Sequence, residues 1–307
     1  MVLTSSRKSF IFDEKFESYH VLDKHLFFLP KLNKYIEPLN YNSRLGFPNG
    51  FLTDNNGLFI KRIKIGDFES AVGEVRYIEP VDYNKSAYNL KIELTFDTDN
   101  ISKTNINLDR IMTGYYAMSF QPYMDLMKEE SKEKALKSII KSIKEEVEID
   151  KIEAINASPE KFGIAPLIVK ASITSESLVD NAGNKFLFKV GELIGPQLEM
   201  YQENDRKLKV HEDFKRNYIS EININIPKGY SFKNLEALNI SESYDNEGKT
   251  YFSFKSGYTL DGNVLKIKIK EFYNKNIIDI FHYESYRKVI NSAANFNKVV
   301  LIMIINN

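Results

Sequence analysis

The 307-residue sequence contains no cysteine. Disulfides, thiolate metal ligands and thiol nucleophiles are therefore excluded from this chain. Tryptophan is also missing, while 18 tyrosines and 21 phenylalanines point to a compositional bias rather than to a function. Neither sign of charge dominates: 42 basic residues face 42 acidic ones, so no global field draws in nucleic acid or an anionic membrane. The longest apolar run, Val299 to Ile305, is far shorter than the ~20 residues of a membrane-spanning helix, and no membrane insertion is expected. The opening MVLTSSRKSFIFDEKF has no uninterrupted apolar stretch and no small-residue cleavage site, so no signal peptide is expected in it.

Motifs of catalysis are scarce too. The four histidines, His20, His25, His211 and His282, form no HExxH pair and stand beside no carboxylate cluster at metal-ligand spacing. There is no GxGxxG or Walker A loop and no GxSxG elbow. DTDNISKTN, at 97–105, starts like a calcium loop but lacks the glycine and the closing glutamate, and reads as a turn. No metal and no cofactor is expected.

What is present is period-2 alternation. Ile222, Ile224 and Ile226 alternate with Glu221, Asn223 and Asn225, and Pro227 and Gly229 then end the strand. Tyr88, Leu90, Ile92, Leu94 and Phe96 share one face of a second strand, whose partner is expected in INLDRIMTGYYAMSF, with Gly114 marking a bulge or a close backbone approach. The Asp261-Gly262 turn introduces a third, with Leu265, Ile267 and Ile269 inward and a row of lysines outward. Residues 19–38 read as a hairpin with Pro30 near its tip, and 57–60 as a short strand. Further strands are expected at 151–156, 165–174, 184–190, 231–240 and 249–255, with a Gly-Pro break at 195–196. Two segments change to helical spacing, 131–147 and 283–297, and the unbroken apolar strand at the end calls for burial on both faces. The expected class is mainly β (α+β), with antiparallel sandwich layers and two amphipathic helices packed on them. The expected division is 1–60 and 61–307, the latter parting into two subdomains near 200–216.

Three patches, MTGYYAMSF at 112–120, residues 205–230 and residues 283–302, together resemble the C-terminal part of bacterial transglutaminase-like multidomain proteins. By that resemblance residues 1–60 are the end of a transglutaminase-like core, and KHLFFLPKLNKYIEPLN stands at its histidine and aspartate strands. His25, or Lys24 in a register shifted by one, takes the histidine position and Glu37 the aspartate position. Without a cysteine no thioester can form, so the pair is vestigial and the resemblance implies a non-catalytic scaffold or binding module. It also implies a partner, the missing catalytic half or another chain covering an apolar edge near residues 21–37. Members of that family are usually exported to the cell envelope, and the chain could be a fragment of one.

Two rivals stand beside this. A β-sandwich can bind glycans through exposed rings, which requires several of Tyr41, Tyr115, Tyr116, Tyr201 and Tyr251 to gather on one open face. Alternatively His25 and a carboxylate act as an acid–base pair, with or without a cysteine supplied by another chain.

Overall fold

The alternating segments pair as their patterns demand. The computed structural model of the chain describes residues 1–16, 19–143, 147–202 and 204–306. Strands take 44% and helices 21%, so the β-rich α+β class holds. Near the N-terminus, β1 (Val2–Thr4), β2 (Lys24–Leu29), β3 (Lys34–Ile36), β4 (Asn55–Ile65) and β5 (Phe68–Ile78) form an antiparallel sheet in the order β3-β2-β1-β4-β5. It has a small core of its own, Val2, Leu26, Leu52, Phe59 and Ile78.

The body of the molecule is an eight-stranded sheet. Its members are β6 (Tyr88–Phe96), β7 (Thr104–Met112), β8 (Glu148–Ile155), β9 (Leu167–Ser175), β13 (Arg216–Asn225), β15 (Ile240–Asn246), β16 (Lys249–Asp261) and β17 (Val264–Tyr273). In space they run β15-β16-β17-β13-β6-β7-β9-β8. All neighbours are antiparallel except the central pair β13 and β6, which are parallel. The two sides of the 200–216 segment thus share one sheet.

One face of this sheet is dry. Leu90, Ile92 and Leu94 of β6, Ile222 and Ile224 of β13, and Leu265 and Ile267 of β17 are all buried, each side chain worth roughly 1.5–3 kcal/mol. The opposite face carries Lys91, Glu93, Lys266 and Lys268 in solvent. Two helices cover the dry face. In α2 (Glu129–Lys141) the i, i+3, i+4 spacing of Leu136, Ile139 and Ile140 lays one stripe on the sheet, and Glu129 and Lys141 sit at the helix ends their charges favour. In α3 (Ile280–Asn297) the buried stripe is Tyr283, Tyr286, Val289, Ile290, Ala293 and Phe296. The last part of the helix expected at 131–147 falls partly on residues 144–146, outside the described residues.

A four-stranded sheet closes the remaining end. It consists of β10 (Val179–Ala182), β11 (Lys185–Phe188), β14 (Tyr230–Lys233) and β19 (Leu301–Ile305), in the order β10-β11-β19-β14. Phe188 and Phe232 stack at 5.7 Å, and Phe188 meets Phe96 of the large sheet edge-on at 5.3 Å, so the two sheets share one core. β19 lies between two neighbours, but the expected burial on both faces is not met: Leu301 and Met303 are fully buried, Ile302 and Ile304 half-buried and Ile305 exposed. A two-stranded pair, β12 (Val210–His211) with β18 (Ile277–Ile278), completes the fold.

Several expectations are corrected. MTGYYAMSF does not continue as a strand: β7 stops at Met112 and the short helix α1 (Gly114–Met118) follows. Gly114 causes the change. Its φ is +54°, and a Cβ there would lie 2.3 Å from the Lys85 carbonyl oxygen. Gly114→Ala is expected to cost about 2–4 kcal/mol of unfolding free energy in urea titrations; an unchanged midpoint would refute this. The line drawn at residue 61 falls inside β4, because the ribbon of β4 and β5 runs on to Ile78. The hairpin of 19–38 forms as β2 and β3, but β2 is paired on both sides, by β1 and β3. The long unpaired edge is β5 instead, where Phe68 and Val72 are exposed.

Candidate functional site

Towards one end of the large sheet the dry face turns polar. The inward positions continue from apolar to charged along each strand: Ile106, Leu108, then Arg110 on β7; Ile224, Ile222, then Ser220, Tyr218 and Arg216 on β13; Ile267, Ile269, then Glu271 and Tyr273 on β17. Register aligns them. Arg110, Leu90, Ser220 and Ile269 stand in one row across four strands, and Tyr88, Tyr218 and Glu271 stand in the next.

The side chains of these two rows, Leu90 excepted, line a cavity of about 370 Å³ between sheet and helices. Its roof is Ser142 after α2, Ile290 and Ala293 of α3, and the loop 194–198. Asn297 fixes that loop by donating to the Gly191 and Gly195 carbonyl oxygens at 3.1 and 2.9 Å.

The charges differ in how well they are satisfied. Arg216 donates to Glu212 at 2.7 Å and lies over the Tyr273 ring at 4.6 Å. Glu212 also accepts from Tyr286 of α3. Burial works against the Arg216 charge, but Tyr218 and Glu212 outweigh it and raise its pKa well above the ordinary value. Arg110 has no such partner. It is 5% exposed, its guanidinium stacks on Tyr88 at 4.1 Å, and its Nε–H is enclosed without an acceptor. No hydrogen bond or ion pair to it is found among the described residues. Burial lowers its pKa, with Tyr88, Tyr218 and Tyr116 opposing, yet an arginine remains charged near neutrality.

Glu271 is the counterpoint. Burial pushes its carboxyl up to about 7, against the Tyr273 hydroxyl, which donates to it at 2.7 Å, and the Arg216 charge. Its second oxygen has no partner among the described residues. Tyr116 and Tyr218 join hydroxyls at 2.5 Å, and burial, as the largest cause, raises the pKa of both, so they stand as neutral phenols. The arrangement provides an uncompensated cation, a carboxyl poised between its two states and several hydroxyls, in a partly open cavity with room for a small molecule.

The residues singled out in the sequence lie elsewhere. His25 is on β2, facing away from Leu26, and Lys24 beside it pairs with Asp23. Glu37 organises a loop, accepting from the Asn49 amide at 2.8 Å and from Asn40 at 3.0 Å. No bond joins His25 to Glu37. His211 sits in β12, and His282 on α3 meets the Tyr244 hydroxyl at 2.9 Å. Among the described residues no group of three histidines or acids could hold a metal ion. Of the five tyrosines, Tyr115 is buried and Tyr116 is inside the polar cluster. Tyr41 and Tyr201 are exposed, and Tyr251 packs on Tyr244 and His282. The five rings do not gather on one face.

Fold and site define a β-rich α+β chain with a partly open, arginine-lined cavity between its main sheet and its helices. Comparison with protein-family models, with curated proteins and with solved structures yields no match. Residues 112–120, 205–230 and 283–302 come together at this site, through Tyr116 with Tyr218 and Tyr286 with Glu212.

Proposed function

We propose that the chain is a non-catalytic binding module whose ligand is a small organic anion held in the Arg110 cavity. The supporting observation is the unpartnered Arg110 guanidinium. Leaving a buried charge uncompensated costs several kcal/mol, a cost that a bound carboxylate or phosphate would offset through a bidentate pair. Ile194, Pro196, Ile269 and Ile290 supply apolar wall for the rest of such a ligand. The non-catalytic part rests on chemistry: the chain lacks cysteine, and arginine, carboxyl and neutral phenols suit binding better than nucleophilic attack. The ancestry from a transglutaminase-like protein belongs to the same proposal, as an origin for the scaffold.

Calorimetric titration with hexanoate tests it. Saturable binding to the wild type should weaken at least tenfold in Arg110→Met. The same variant, free of ligand, should be more stable by about 1–3 kcal/mol, since an apolar side chain of similar length replaces a buried unpaired charge. A merely structural Arg110 would give the opposite sign. Absence of saturable binding to hexanoate, with Arg110→Met destabilised, would overturn the proposal.

A further inference from the structure

Glu271 gives the cavity a second pole. Arg110 is on β7 and Glu271 on β17, three strand steps apart in the sheet order. At about 4.8 Å per step, and with Glu271 two residues along its strand from the row of Arg110, their Cα atoms are separated by about 16 Å. Because the guanidinium leans over Tyr88 on β6, the working distance falls towards two steps, about 10 Å. A hydrogen bond of about 3 Å at each end leaves about 4–10 Å for the ligand between its two terminal groups. Both poles line the same cavity.

Their unmet demands are complementary. Arg110 offers N–H donors and has no acceptor. Glu271 accepts from Tyr273 on one oxygen only, leaving the other free to take a proton donor. Arg216 also lines the cavity, but its charge is already answered by Glu212, which Tyr286 secures in turn. Between the poles the floor is Ser220 and Tyr218, and the roof sets Ile194, Pro196, Ile290 and Ala293 beside Ser142 and Gln197, which leaves an apolar strip for a short methylene chain.

We infer that the ligand is a short ω-amino carboxylate or a molecule of the same bipolar kind, with its acid on Arg110 and its ammonium on Glu271. This rests on the binding reading above and adds the second pole. The probes are a six-carbon series: hexanoate, 6-aminohexanoate, hexanedioate and hexylamine, titrated calorimetrically into the wild type, Arg110→Met and Glu271→Gln. The expected result is that 6-aminohexanoate binds the wild type at least tenfold tighter than hexanoate, and that Glu271→Gln removes the difference while still binding hexanoate. Hexanedioate should bind more weakly than either. If hexanoate binds through Arg110 but the amino group brings no gain, or the gain survives in Glu271→Gln, the bipolar assignment is wrong and the anion site stands. If the whole series fails to bind, both are wrong.

Discussion

Glu271→Gln is expected to stabilise the ligand-free chain by about 2–3 kcal/mol at pH 8 and to change little at pH 4. The folded carboxyl titrates at about 7, above its ordinary value of 4.5, because burial penalises the anion. Between these two values the folded chain holds a proton that the unfolded chain has released. Stability contributed by this group is therefore complete below about 4.5 and is lost as pH rises through 7; the interval corresponds to about 3 kcal/mol. Facing groups set the size: Arg216 and the Tyr273 hydroxyl favour the anion and temper the loss, while Tyr218 and Tyr116 remain neutral. Glutamine keeps the shape and the acceptor for Tyr273 but cannot ionise. Urea unfolding at pH 4, 6 and 8 should show the wild type losing stability relative to the variant; parallel curves for the two proteins would refute the assignment.

Arg7→Met is expected to loosen the N-terminal sheet from the body, at a cost of about 3–5 kcal/mol. Arg7 is 4% exposed and donates to the carbonyl oxygens of Thr53 at 2.7 Å, Gly50 at 3.1 Å and Glu212 at 3.1 Å. It thus ties the segment after β1 and the loop before β4 to the approach of β13. The seam is tight around it: a Cβ on Gly50 would lie 2.2 Å from the Asp213 carbonyl oxygen, and Tyr115 donates to the Pro48 carbonyl oxygen at 2.8 Å. Methionine would leave the Thr53 and Glu212 carbonyl oxygens without this donor, each worth about 1–3 kcal/mol, while the Gly50 oxygen keeps the Thr53 amide and hydroxyl. Hydrogen exchange reads the effect locally. Amides of β1 to β5 should lose protection while the large sheet keeps most of its own, and uniform loss across both would show that Arg7 is not a staple between the two.

Much of this architecture is legible in the sequence because burial on one face writes itself as alternation. The patterns of 88–96, 217–226 and 264–270 place β6, β13 and β17 with their inward faces correct, and the helical spacing finds α2 and α3. The parallel join of β6 to β13 was not legible, since an inward isoleucine reads alike in either direction. The length of β4 and all of β5 escaped for the opposite reason: exposed on both faces, FESAVGEVRY carries no periodic signal. α1 escaped because Gly114 acts by its left-handed backbone and the nearby Lys85 carbonyl, a contact distant in sequence.

The site had a signal that motif searching passes over. Continuing the alternation by two residues puts Arg110, Tyr218 and Glu271 on the inward face, where a charged side chain is out of place unless something answers it. His25 and Glu37, drawn from resemblance, are a strand residue and a loop organiser without a bond between them.

On the binding reading proposed above Arg110 waits for an anion, and its own Nε–H reports on that most directly. In a nitrogen–proton spectrum the Arg110 side-chain signal can be assigned by its loss in Arg110→Lys and followed while hexanoate is added. A saturable shift of that signal, with the exposed Arg62 unmoved, is the predicted result. A signal that stays fixed while hexanoate rises to tens of millimolar, or one that moves only in step with Arg62, would contradict it.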